Sequence, residues 1–204
     1  MIAIIDYGVG NLFSLSCSLK YIGQDAVITG DVAIIEKCGK IILPGVGAFG
    51  DAAEKLHQSG LAELILREAK RGKPLLGVCL GMQLLFEKSF EFGEHKGLGL
   101  LRGVVAPIKP RIPAEYKIPH IGWNALIFPR GGKSTLFKYV DEGDHVYFVH
   151  SFHAEECADT TIAATEYGAN LTAAAAADNV FGTQFHPEKS GNVGLSILKA
   201  FAEM

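Results

Sequence analysis

Four short apolar runs, separated by segments of different pattern, constrain the fold of this 204-residue chain more than any other feature. They are "MIAIID" at 1–6, "DAVITG" at 25–30, "KIILPG" at 40–45 and "PLLGV" at 74–78. The third is continuous rather than alternating, and it and the fourth read as strands buried on both faces. Between the first two lies "NLFSLSCSLKYIG", with Leu12, Leu15, Leu19 and Ile22 at helical spacing and Gly23 as a stop. "AAEKLHQSGLAELILREAKRGK" predicts helix broken at Gly60, and "GMQLLFEKSF" predicts another. Strands alternating with helices imply βαβ units and a parallel sheet.

The second half changes character. "LLRGVVAPI", "HVYFVHSF", "TIAATEYG" and "VFGTQFH" are β-type runs with little helix between them beyond a short turn near "KSTLF". "LTAAAAAD" is ambiguous, since alanine is the best helix former; its neighbours favour strand. "GNVGLSILKAFAEM" closes the chain as an amphipathic helix. The expectation is a three-layer α/β fold: a mostly parallel central sheet, helices on both faces, and antiparallel or mixed strands added from the C-terminal half. No linker or repeat divides the chain, so a single domain over 1–204 is expected.

A formal charge of −3 and a pI near 6.2 argue against a nucleic-acid or membrane-surface binder. Apolar content of 49% against 20% charged residues supports a real core rather than disorder. No uncharged run approaches the roughly 18 residues that read as a membrane span. "MIAIIDYGVG" has no basic region and meets Asp6 at once, unlike a signal peptide. Cys17, Cys38, Cys79 and Cys157 are scattered, with no CxxC pair and no histidine at metal spacing. A reduced, cytoplasmic protein without metal or cofactor is the natural expectation.

The chemistry concentrates at "GVCLG", a G-x-C-x-G frame after a predicted strand and before a predicted helix. It is the cysteine form of a nucleophile elbow. Cys79 would project at the carboxyl end of the sheet, where open α/β folds bind ligands. The helix start beside the sulfur favours thiolate over thiol, and backbone N–H groups there, that of Leu80 above all, could face an oxyanion. A buried structural cysteine with incidental glycines is the competing reading.

Seven histidines compete to serve as base. His57 lies in a charged helical segment, and His95 in the polar stretch "EFGEHKG". His120, His145, His150 and His153 lie in or near β-type runs. His186 stands in "GTQFHPEKS", directly after a strand, with Glu188 two positions on to hold the far ring nitrogen. Spacing alone leaves a chance His and Glu on a surface loop equally open. "LPGVGAFGD" at 43–51 lacks GxxxxGK[ST], and "YGVGN" lacks GxGxxG, so neither nucleotide motif is present. The glycines of the former could instead let a peptide plane turn an N–H toward a reacting carbonyl.

With "GVCLGMQ" and "QFHPEKS" in place, the chain resembles class I (triad) glutamine amidotransferases over essentially its whole length. "IDYGVGNLFSL", "LPGVGAFGD", "IPHIGWN" and "YFVHSFH" make it similar, more narrowly, to the glutaminase subunits of imidazole glycerol phosphate synthases, in histidine biosynthesis. The resemblance implies a flavodoxin-like fold and a triad of Cys79, His186 and Glu188 acting on glutamine through a thioester. It implies an oxyanion hole from Leu80 and from Val46 or Gly47. Gly45, Gln83, Ser151 and Phe152 would hold the amino-acid part of glutamine. It also implies a heterodimer with a (βα)8-barrel cyclase that receives the ammonia, with Asn11, Trp123 and Lys189 facing this partner. In such relatives the glutaminase is nearly idle until the partner binds its nucleotide, so "PGVG" could flip between a resting and an active state. Glutaminases of other class I enzymes, such as anthranilate or pyridoxal phosphate synthases, a thiol peptidase, or a non-catalytic module on the same fold remain the alternatives.

Overall fold

The computed structural model describes residues 1–129 and 132–204. Its first half runs β1 (Ile2–Ile5), α1 (Leu12–Tyr21), β2 (Ala26–Thr29), α2 (Val32–Lys37), β3 (Lys40–Gly45), α3 (Phe49–Gln58), α4 (Leu61–Lys70), β4 (Leu75–Cys79) and α5 (Leu80–Leu84). Short strands follow: β5 (Lys88–Ser89), β6 (His95–Lys96), β7 (Val104–Pro107) and β8 (His120–Ala125). A 3-10 turn at Thr135–Phe137 precedes β9 (His145–His150), β10 (Phe152–Glu155), β11 (Thr161–Glu166), β12 (Asn170–Ala177) and β13 (Val180–Thr183). A second 3-10 turn, Pro187–Lys189, leads into α6 (Gly191–Ala202).

The main sheet has the order β11-β12-β13-β4-β3-β1-β2. Its five strands from β13 to β2 are parallel, while β12 and β11 pair antiparallel at one edge. Because side chains alternate across a strand, Ala3, Ile5, Ile41, Leu43 and Leu75 enter one core with α2, α3 and α4. Ile2, Ile4, Ile42, Leu76 and Val78 enter the other, against α1 and α6. Covering both faces is what makes β1 and β4 buried at every position. The mixed α/β fold with a parallel-dominated sheet is therefore as expected, and "LTAAAAAD" is a strand.

Two expectations need correction. The helix predicted over "GMQLLFEKSF" stops at Leu84. The Glu87 N–H donates to the Gly103 carbonyl instead of back to Gln83, and the Leu84 and Leu85 carbonyls accept from Leu98 and from Leu100 and Leu101, so the helical ladder does not continue. Lys88 and Ser89 then pair with β7 in a separate four-stranded sheet of order β10-β7-β5-β6. His95, whose polar stretch "EFGEHKG" reads as a loop from sequence, sits instead in β6. "IPHIGWN", assigned to no element from sequence, supplies β8, which forms an antiparallel ribbon with β9. Helix α2 was likewise unmarked by periodicity, although Asp31 caps it by accepting from the Ile34 N–H at 3.1 Å.

Candidate active site

The site is built where β3, β4 and β13 end side by side. In the parallel register Gly45 is level with Cys79, and Thr183 with Val78. Cys79 closes β4 with φ 55° and ψ −114°, backbone space that L-residues seldom occupy. The flanking glycines make this turn possible. A Cβ on Gly77 would lie 2.6 Å from the Gly81 carbonyl oxygen, and one on Gly81 would overlap the Leu43 carbonyl. A Cβ on Gly45 would meet the Gly81 nitrogen at 2.7 Å. Gly45 thus allows α5 to seat against β3. Such strain at a reactive side chain is a common mark of a functional site.

Cys79 opens into a cavity of about 390 Å3. Val46, Gly47, Leu80 and Gln83 line it from the N-terminal half, and Ser151, Phe152, His186 and Lys189 from the C-terminal half. Gly47 has φ +92°, in the left-handed region, and open space where a Cβ would stand. The Tyr7 hydroxyl donates to the Pro44 carbonyl at 2.8 Å, tying this loop to the end of β1. Burial, with the Cys79 charge behind it, drives the Tyr7 phenol well above its ordinary range, so it stays a donor.

His186 is buried and lines the same cavity as Cys79. Its Nδ1 lies 2.8 Å from Glu188 Oε1, while Glu188 Oε2 is buried without a partner. Burial alone would lower the imidazole's pKa, but the nearby Cys79 and the hydrogen-bonded Glu188 carboxylate outweigh it and hold it at about 9. Backbone contacts fix the ring's position. The His186 N–H donates to the Tyr147 carbonyl at 3.0 Å, and Ser190 Oγ donates to the His186 carbonyl at 2.7 Å. Cys79 and His186 thus share one cavity, with Glu188 on the far ring nitrogen, the set of groups needed to attack a carbonyl-type carbon and to move a proton.

The other histidines lie apart from the sulfur or are engaged elsewhere. His57 is exposed beside Glu63, and His145 is exposed. His153 makes a second His–carboxylate pair with Glu155 at 2.9 Å, but Arg111 grips that carboxylate through two nitrogens, each at 2.6 Å.

Sequence reasoning missed three residues at the site. Gln184 accepts from Gln83 Nε2 at 2.9 Å and points its own Nε2 at Cys79 Sγ, 3.8 Å away. It sits inside the "QFHPEKS" motif, so proximity could have flagged it. His150 and Glu91 also line the cavity. Glu91 accepts from the Phe49 N–H at 2.6 Å across 42 residues of chain, a contact no local pattern announces.

Of the residues expected to face a partner, Trp123 is 53% exposed on β8 and meets Tyr147 edge-on with centroids 6.0 Å apart. Lys189 Nζ lies 5.7 Å from the Tyr147 ring centre, so the three form a stack from the ribbon to the cavity mouth. Asn11 precedes α1 and makes no capping hydrogen bond. None of the described helices is long and apolar enough to cross a membrane.

A cysteine at a strained strand–helix elbow, sharing a cavity with a His–Glu pair at the head of a parallel sheet, defines a class of thiol-dependent α/β enzyme. The chain belongs to the class I glutamine amidotransferase family, whose model matches residues 3–203. It is 51% identical to the imidazole glycerol phosphate synthase subunit HisH of Caldanaerobacter subterraneus, over all of this chain and 98% of that one. The subunit of the same name from Wolinella succinogenes is 50% identical over the full length of both. Among solved structures, one titled PurLQS from Thermotoga maritima superposes with a TM-score of 0.74 at 22% identity, covering 99% of this chain and 97% of its own. That likeness speaks for the fold alone.

Proposed function

We propose that this chain is the glutaminase subunit of an imidazole glycerol phosphate synthase, a single amidotransferase domain that works in the cytoplasm beside a cyclase subunit. The observation that carries the reading is Cys79 and His186 on the wall of one cavity, with Glu188 held against the far ring nitrogen at 2.8 Å. The full-length similarity to subunits of that name supports the substrate and the pathway.

Glutamine enters with its side-chain amide at Cys79. The sulfur attacks the amide carbon, and the carbonyl electrons move to oxygen. The Leu80 N–H and one from Val46 or Gly47 receive that oxyanion; one such donor is worth about 3 kcal/mol. His186, having taken the Cys79 proton, passes it to the nitrogen, the C–N bond breaks, and ammonia leaves a γ-glutamyl thioester. His186 then takes a proton from water as it attacks the thioester, and glutamate departs as the C–S bond breaks. Glu188 holds the ring for both transfers. Gln83 and the Ser151–Phe152 backbone hold the amino-acid end, and Glu91 supplies a carboxylate suited to its ammonium group. Lys189 lines the cavity beside His186 and stacks with the exposed Trp123 through Tyr147, which suits an exit for ammonia toward a (βα)8-barrel partner meeting Asn11, Trp123 and Lys189.

The test is glutamate release by the purified chain, alone and then with a cyclase subunit carrying its nucleotide ligand. Little activity alone and a large rise in the complex is expected. Full activity alone would indicate a free-standing amidase. No glutaminase in either state, with partner binding intact, would overturn the catalytic assignment.

A further inference from the structure

The turn "YGVGN" after β1 carries no nucleotide motif, and the reaction scheme leaves its first residue unused. Tyr7 is buried in the core that also holds Leu43, Phe49 and Leu80. Its hydroxyl donates to the Pro44 carbonyl at 2.8 Å across 37 residues of chain. The pairing of β1 with β3 ends at Ile4 and Ile42, so Pro44 lies past the last backbone partner that β1 offers. Tyr7 supplies the tie that the strand itself no longer makes. The rest of the turn packs on the same residue. A Cβ on Gly10 would stand 3.1 Å from the Pro44 Cβ and Cγ, and Asp6 steadies the turn by accepting from the Gly8 N–H at 3.1 Å.

The segment that follows is held at its two ends and free between them. At the near end Gly45 seats so closely on α5 that a Cβ there would meet the Gly81 nitrogen at 2.7 Å. At the far end Ala48 gives α3 no side-chain cap, and Glu91 supplies one from outside by accepting the Phe49 N–H at 2.6 Å. Between these points Val46 is 43% exposed, and Gly47 has open space around it. Any turning of the chain here falls on the peptide planes that flank Val46 and Gly47.

The geometry points to Tyr7 as a positioning residue for the oxyanion donor: by holding the Pro44 carbonyl it fixes the pivot from which the Val46 or Gly47 N–H is aimed at the developing oxyanion. This role rests on the glutaminase reading above. A peptide unit is planar, so a fixed Pro44 carbonyl also fixes the Gly45 N–H, immediately before the donor planes. A donor set in advance needs no reorganisation when charge develops, which is where its catalytic value lies. Burial keeps the phenol protonated, and the charge of Cys79 adds to the effect, so the tie holds when the sulfur is a thiolate. A tie that only stabilised the fold would affect every reaction of Cys79 alike. One that aims the donor affects only the reactions that build an oxyanion.

The experiment compares two reactions of the same sulfur in Tyr7→Phe, which keeps the ring in the core and removes only the hydroxyl. Both are run in the complex with a cyclase subunit carrying its nucleotide ligand. Glutamine hydrolysis passes through an oxyanion. Alkylation by iodoacetamide, followed by mass spectrometry of the Cys79 peptide, displaces iodide from a saturated carbon and builds none. The kcat for glutamine should fall about tenfold, as for a small misplacement of a reacting group, with KM and the rate of Cys79 alkylation each within about twofold of the parent. An unaltered kcat, or an equal fall in both reactions, would overturn the positioning role. Glutamate release by the parent complex separates the two possible failures. Its absence would refute the function proposed above and this role with it, whereas an active parent with an equally active Tyr7→Phe would refute this role alone.

Discussion

Replacing Glu188 by glutamine isolates what the carboxylate does, because the side chain is buried, touches His186 at 2.8 Å and does not line the cavity. The imidazole's pKa of about 9 arises against burial from two sources, Cys79 and Glu188. Loss of the charged acceptor should lower it by about one to two pH units, or roughly 1.4 to 2.7 kcal/mol in the free energy of the protonated ring. The imidazolium that donates to leaving ammonia is destabilised by the same interaction, so kcat should fall about ten- to a hundredfold, and KM for glutamine should stay within about twofold. The stability effect has a defined sign. A folded pKa raised above the ordinary 6.5 gives stability that is complete below 6.5 and is lost as pH rises through 9. The deficit of Glu188→Gln should therefore be largest near pH 6 and shrink by the amount above once pH passes about 9.5. Urea unfolding at both pH values, with glutamate release in the activated complex, measures each quantity. A pH-independent deficit, or a kcat near that of the parent, would refute the coupling of Glu188 to His186.

Cys79→Ala should abolish glutamate release, and Cys79→Gly should do so while raising stability by about 1 kcal/mol, since glycine accepts φ 55° without strain; thermal unfolding compares the two. Gly81→Ala should destabilise by at least about 2 kcal/mol, because its Cβ would overlap the Leu43 backbone, which cannot move independently of the sheet. Gly47→Val should freeze the loop, because a β-branched residue resists φ +92°. The ratio of glutaminase rates with and without the partner's ligand should then collapse toward one, and an intact ratio would sink the flip.

Much of this architecture was legible because its strands are short, apolar and glycine-stopped, and because the helices that cover them carry the 3.6-residue period. The elbow at Cys79 and the pair at His186 and Glu188 were legible for a related reason: each is local in sequence. What stayed hidden depends on distant partners. Helix α5 ends where Leu98 and Leu100 take its carbonyls, fourteen or fifteen residues further on. Glu91 reaches Phe49 from a loop with no pattern, and His120 meets His150 only because β8 and β9 pair. The glycine in "HIGWN" interrupts alternation, which masked β8 as a strand.

The pairing of β13 with β4 has a consequence for the life of the chain before it is complete. The sulfur is made early and its base about a hundred residues later, and they meet only when β13 docks between β4 and β12. Pairing so distant in sequence is slow to form and comes late in folding. A chain that lacks β13 and the turn after it carries Cys79 without the His186–Glu188 pair.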